Sequence, residues 1–191
     1  MRFTGRLSEA FAFAMVLHGE QRRKGTETPY ITHLMSVAAL VGEYGGDEDL
    51  AIAAMLHDAV EDQGGAPVLK QIRTRFGDRV ARVVADCSDT DEVPKPPWRK
   101  RKEEYIEHLG SAQADTALVS AADKLHNVRT IIEAQHQMGD AVFERFNSEK
   151  GGTLWYYRTI VDTLKCISES VPIVRALERE VAEMERLAGR S

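Results

Sequence analysis

Apolar residues recur mainly three and four positions apart along this chain, and the strict alternation that marks strands is scarce, so the pattern predicts an all-α fold. The first helical segment covers about residues 8–23, with Ser8 as N-cap and Phe11, Ala14, Met15 and Leu17 as its inner stripe. A Gly-Thr-Glu-Thr-Pro stretch breaks it. A second segment, about 33–43, stops at Gly45-Gly46, and Asp47 then caps a third over about 48–62, which Gly64-Gly65 ends. Further segments cover about 67–76, 78–87, 99–109, 115–134 and 148–168, and a last one, 172–188, begins at Pro172. Between Ser88 and Trp98 the chain must be a loop, because Pro94, Pro96 and Pro97 remove backbone donors and fix φ. The expectation is a single-domain bundle of about eight to ten helices across 1–191, with no internal repeat, low-complexity tract or interdomain linker.

Composition narrows the classes. The chain has 191 residues, 43% hydrophobic and 29% charged, which supports a packed core and excludes a disordered chain. Its formal net charge of −5 provides no global basic field, so a nucleic-acid partner is not expected. Cys87 and Cys166 form no CxxC pair, which argues against a disulfide framework or a thiolate zinc site and for a reducing cytoplasm. No stretch approaches the ~18 uncharged apolar residues of a membrane span, and the N-terminus does not read as a signal peptide. The last segment is amphipathic. It fits a packed terminal helix or, equally, an oligomer contact that would make the chain a homodimer.

The densest chemistry lies in HDAVED, His57 to Asp62, which follows the apolar run AIAAML. In a continuous helix at ~3.6 residues per turn, His57 shares a face with Glu61 and Asp58 with Asp62. Four ionisable groups at the end of a core helix are costly unless something neutralises them, and a divalent cation does so. A solvated helix terminus is the plain competing reading. PYITH adds His33 at a loop-to-helix junction, and ADKLHN adds Asp123 with Asn127 one turn on. Together His33, His57, Asp58 and Asp123 make a mixed nitrogen and oxygen set suited to Mn²⁺, Fe²⁺, Zn²⁺ or Mg²⁺, with positions left for water and substrate.

Glu61 is the first choice to accept a proton from a metal-activated water, with Asp62 beside it. Two short basic clusters complete the set. Arg23 and Lys24 precede PYITH, and Arg99 and Arg101, with their lysine neighbours, follow the proline loop, where they would reach the distal phosphates of an anionic substrate. Each cluster could instead be a solvated face. Trp155, Tyr156 and Tyr157 read as core aromatics, His18 as a hydrogen-bonded core histidine, His126 as structural or supporting a ligand, and His108 and His136 as surface residues.

HGEQRRKGTETPYITHLMSVAALV, AAMLHDAVEDQGG and ADKLHNVRTI, in this order, resemble the H…HD…D pattern of the HD-domain metal-dependent phosphohydrolases. The resemblance covers about 7–170 and is closest to the hydrolase domain of Rel/Spo-type alarmone enzymes and to the stand-alone small alarmone hydrolases. It implies a helical fold, one Mn²⁺ held by His33, His57, Asp58 and Asp123, and removal of the 3′-pyrophosphate from (p)ppGpp. By motif position, Glu61 and Asp62 match the family's catalytic acidic pair. Arg23 and Lys24 match the dipeptide lining the nucleotide pocket, and Asn127 matches the residue facing the ribose. The sequence departs from the pattern in a longer RKGTETPY loop, in Leu34 after His33, and in ADCSDTDEVPKPPWRKRK where the long enzymes carry a Val-Thr-Lys-like segment. The chain length implies a dedicated hydrolase without a synthetase. A phosphohydrolase of the same fold acting on the NADPH 2′-phosphate or a nucleoside monophosphate, and a non-catalytic nucleotide sensor, are the alternatives.

Overall fold

The structure, a computed structural model, describes residues 3–90, 94–168 and 172–189. Among the described residues it contains ten α-helices, one 3₁₀ segment, and no strand beyond an isolated bridge between Arg22 and Pro29. The helices are α1 (Gly5–His18), α2 (Ile31–Glu43), α3 (Glu48–Leu56), α4 (Ala59–Gln63) and α5 (Gly65–Phe76), then α6 (Asp78–Cys87), α7 (Trp98–Gly110) and α8 (Ala114–Met138). The 3₁₀ segment Gly139–Arg145 leads into α9 (Glu149–Ser168), and α10 (Pro172–Ala188) closes the bundle. The proline-rich loop is described on either side of residues 91–93, which lie outside the described residues, as do residues 169–171. No described helix is long and apolar enough to cross a membrane.

Helix α1 starts earlier than its pattern predicts. Thr4, not Ser8, is the N-cap, accepting from the Arg6 N–H, and Thr4 is itself fixed by hydrogen bonds to Glu48. The helix stops at His18 instead of Arg23 because the following backbone pairs with itself. Tyr30 N–H donates to the Gln21 carbonyl at 2.9 Å, and Arg23 N–H to that of Thr28 at 2.9 Å. Arg23 and Lys24 therefore sit on a closed loop beside α2, and its turn passes through Gly25 at φ +71°. The inner stripe of α1 also differs from expectation. Ala10, Phe13, Ala14 and His18 face inward, whereas Phe11 and Met15 are 37% and 41% exposed. The helix is apolar on both sides, so periodicity alone does not select its buried face.

The predicted third segment is two helices. The His57 imidazole bonds through Nδ1 to the Ala54 carbonyl at 2.8 Å, and Asp58 turns to φ −94°, ψ −2° before α4 resumes. The break leaves the expected Asp58 and Asp62 pairing in register: the Asp62 N–H donates to the Asp58 carbonyl at 3.0 Å, one helical turn on, and Asp58, Glu61 and Asp62 border one space.

One continuous core, including Leu34, Ile52, Leu56, Leu125, Leu164 and Leu177, fills the space between the helices. Each fully buried large side chain contributes roughly 1.5–3 kcal/mol. Helix α8 is the spine. It packs against α2, α3, α6, α9 and α10, and no glycine or proline interrupts it before Gly139, which takes φ +60°. Its head is clasped by Arg79, which binds both carboxylate oxygens of Asp115 at 2.8 and 3.0 Å and also reaches Asp47, the N-cap of α3. The apolar face of α10 is buried against α8 and α9 through residues such as Ile173, Leu177, Val181 and Met184. The packed-helix alternative holds, and this face is not free for a partner.

Candidate metal centre and substrate cleft

The break between α3 and α4, the first turn of α2 and the middle of α8 meet at one point. His33 Nε2, His57 Nε2 and an Asp58 carboxylate oxygen lie within 4.8 Å of one another, the only such group among the described residues. Asp123 Oδ1 completes the set, 3.2 Å from His33 Nε2 and 3.6 Å from His57 Nε2. Both imidazoles are buried, and neither Nε2 makes an aligned hydrogen bond. Their other nitrogens are committed: His57 Nδ1 to the Ala54 carbonyl, and His33 Nδ1 to His126 Nδ1 at 2.8 Å. With His33 Nδ1 donating, Nε2 presents its lone pair inward, which is the support that metal-binding histidines need.

Electrostatics agree with this fit. Burial, together with the neighbouring His33 and Arg23 charges, lowers His126 to about 4, so it stays neutral and can accept. Burial acts to lower His57, yet the Asp58 charge and the nearby Asp123 carboxylate, 3.6 Å from Nε2, outweigh it and hold its imidazole well above the ordinary value. Burial acts to raise Asp58, but the His57 charge keeps it below its usual range. A negative field that attracts a proton to this extent attracts a cation equally well. The donor set, two imidazole nitrogens and two carboxylates with orphaned buried Nε2 atoms, fits a divalent transition metal.

Tyr30, from the PYITH motif, donates to Asp58 Oδ2 at 2.5 Å and stacks on His18 with ring centroids 5.5 Å apart. Asn127 donates to Asp123 Oδ1 at 2.6 Å, and Lys124 holds the other oxygen at 2.5 Å. The acidic pair flanks the centre. Glu61 Oε1 is 3.0 Å from Lys95 Nζ and its other oxygen faces the Asp89 N–H, whereas Asp62 accepts from Gln21 at 2.9 Å. Burial and the Asp89 charge raise Glu61, and burial and the Asp58 charge raise Asp62.

Two connected spaces open from this point. An outer cleft of about 490 Å³ is lined by Arg23, Lys24, Tyr30, Asn127, Arg145 and Tyr157, among others. An inner chamber of about 180 Å³ is lined by Asp58, Asp123, Glu61 and Asp62 together with Lys102, Lys124 and Tyr156, among others. Asn127, Asp62 and Tyr30 border both. Within the cleft, Arg23 donates to Asn127 Oδ1 at 2.6 Å and Lys24 to Asn147 at 2.9 Å.

The structure thus brings together His33, His57, Asp58, Asp123, Glu61, Asp62, Arg23, Lys24 and Asn127. Arg101 joins them, only 11% exposed, bound to Asp89 at 2.5 Å and 3.9 Å from Glu61. Arg99 does not. Its guanidinium lies over the Trp155 ring, 3.2 Å from the centroid, and pairs with Glu103, and it borders neither space. Tyr30, Lys95, Asp89 and Lys124 were not singled out in the sequence, whereas Lys102 belongs to the basic run after the proline loop that the sequence directs toward the distal phosphates. Tyr30 and Lys124 adjoin motif residues, and that adjacency was the available signal.

Comparison with known proteins agrees with the geometry. The HD domain family matches residues 10–150. A Xenopus tropicalis protein named guanosine-3′,5′-bis(diphosphate) 3′-pyrophosphohydrolase MESH1 is 39% identical over 126 residues, 64% of this chain and 68% of the relative. An Aquifex aeolicus guanosine-3′,5′-bis(diphosphate) 3′-pyrophosphohydrolase is 36% identical over 128 residues, 65% of this chain but 18% of that protein. A solved structure described as a metazoan ortholog of SpoT that hydrolyzes ppGpp superposes with a TM-score of 0.77 at 25% identity, over 99% of this chain and 98% of the other.

Proposed function

The chain belongs to the HD domain family, and from that premise we propose that it is a metal-dependent hydrolase that removes the 3′-pyrophosphate of ppGpp or pppGpp to leave GDP or GTP. The observation that carries this reading is the convergence of His33, His57 and Asp58 within 4.8 Å beside a buried acidic pair and a basic cleft. His33, His57, Asp58 and Asp123 would hold one divalent ion, with Mn²⁺ as the favoured one. Bound there, such an ion supplies Lewis acidity toward a phosphoryl oxygen and lowers the pKa of water.

The chain's own residues do the rest. Arg23 and Lys24 bind and orient the nucleotide, and Asn127, between cleft and chamber, faces the ribose. The oxygen of water attacks the phosphorus bonded to the ribose O3′, and the bond from that phosphorus to O3′ breaks. Glu61 takes the water proton, Asp62 orients the water, and O3′ gains a proton as the alcohol of the product. Their raised carboxyl pKa values make Glu61 and Asp62 stronger proton acceptors than ordinary carboxylates. A cytoplasmic location goes with this reading and is supported by the unpaired Cys87 and Cys166.

The test is product analysis after incubating the purified chain and Mn²⁺ with ppGpp, NADPH and a nucleoside monophosphate panel. The expected result is GDP and pyrophosphate from ppGpp, abolished by EDTA and by Asp58→Ala. Metal-dependent phosphate release from another nucleotide, with ppGpp untouched, would overturn the substrate assignment and leave the phosphohydrolase.

A further inference from the structure

The inner chamber contains a hydroxyl that nothing in the protein satisfies. Tyr156 is 6% exposed, and its Oη is buried without a hydrogen-bond partner, an arrangement that is costly until a ligand supplies one. Trp98 meets the Tyr156 ring edge-on at 6.0 Å and fixes its orientation. Two ammonium groups stand near the same ring, Lys102 Nζ at 5.2 Å and Lys124 Nζ at 5.8 Å from its centroid. Lys102 binds Asp89 at 2.6 Å and Lys124 binds Asp123 at 2.5 Å, and each ammonium has three N–H donors. Asp89 is also bound by Arg101, which shares the neutralisation of that carboxylate with Lys102. Lys124 holds Asp123, a member of the proposed ligand set, so the cluster adjoins that set.

We propose that Lys102, Lys124 and the Tyr156 hydroxyl form the subsite for the terminal phosphoryl group of the 3′-diphosphate, and that they select a diphosphate over a monophosphate ester. The proposal rests on the pyrophosphohydrolase reading above. The terminal phosphoryl carries acceptor oxygens and no donor, so it needs what this wall offers: two charged donors and a neutral one. A monophosphate ester held at the ion would leave the Tyr156 hydroxyl unpaired, and leaving a buried polar group unmatched is how a site rejects a shorter analogue.

The test uses the Mn²⁺-loaded full chain and the variants Tyr156→Phe, Lys102→Met and Lys102→Arg. Tyr156→Phe is expected to lower kcat/KM for ppGpp by about tenfold, the factor for one hydrogen bond of ordinary strength. Inhibition by GDP and by guanosine 5′-diphosphate 3′-monophosphate, which lack the terminal phosphoryl, should stay at wild-type values. Lys102→Met should act in the same direction, and Lys102→Arg should restore part of the loss. Equal losses toward all three nucleotides, or none toward ppGpp, would overturn the subsite. A second measurement does not require turnover: calorimetric titration of inorganic pyrophosphate and of phosphate at fixed free Mn²⁺. A preference for pyrophosphate that Tyr156→Phe abolishes supports the subsite even if ppGpp is not the substrate. A preference that survives in both Tyr156→Phe and Lys102→Met overturns it, whatever the substrate.

Discussion

Glu61 and Asp62 are neighbours in sequence yet answer to different surroundings. Glu61 is raised by burial and by Asp89, with Lys102 and Lys95 acting against the shift, while Asp62 is raised by burial and by Asp58, with Gln21 opposing. A general base must be deprotonated, so a raised pKa puts the acid limb of kcat above the ~4.3 of an ordinary glutamate. Lys95→Met removes a contact that lowers Glu61, so that limb should move to higher pH; pH profiles at saturating substrate check this, and an unmoved limb would detach Lys95 from Glu61. Glu61→Gln should reduce kcat by ~10²–10⁴ with the thermal unfolding midpoint kept, consistent with loss of one positioned base. At this scale His33, His57, Asp58, Asp123, Glu61 and Asp62 were legible because their residue types and spacing carry the chemistry. Lys95 and Asp89 were not, since their importance comes from contacts between segments far apart in sequence, and Lys102 was legible only as one charge of a basic run. Arg99 misled for the converse reason: charge composition does not reveal that a guanidinium is stacked on Trp155.

The existence of each major helix was legible in its period, but the places where helices end were decided elsewhere. Backbone pairing over 21–30 ended α1 at His18, and a single side-chain bond from His57 to the Ala54 carbonyl accompanies the split of the third segment. The short 3₁₀ segment had no signal beyond Gly139, although it buries Val142 and Phe143. Helix α10 was legible as amphipathic, while its partner was not. Because Leu177 is fully buried between α10 and the rest of the bundle, Leu177→Ala should cost about 2–5 kcal/mol, measured by denaturant unfolding. A loss below ~0.5 kcal/mol, the range of surface substitutions, would mean that α10 is not integral to the domain.

Across the whole molecule, the four candidate ligands come from α2, the α3–α4 break and α8, so an ion at their centre would tie three separately packed elements together. Ligand bound only to the folded state adds stability, about 2.7 kcal/mol at a free concentration one hundred times Kd. EDTA should therefore lower the Tm of the Mn²⁺-loaded protein and leave the Tm of Asp58→Ala nearly unmoved, as differential scanning calorimetry would record. An equal response in both would remove the ion from this position.

The clasp of Arg79 on Asp115 acts at the head of the same helix that carries Asp123, Lys124, His126 and Asn127. Those four residues are rigidly indexed to it, at ~1.5 Å per residue along one uninterrupted axis. Any axial slip of α8 would displace the candidate ion ligand Asp123, the proposed phosphoryl-binding Lys124 and the proposed ribose contact Asn127 together, by the same amount and in the same direction. The clasp thus acts as the datum from which both halves of the cleft are measured, although it touches neither.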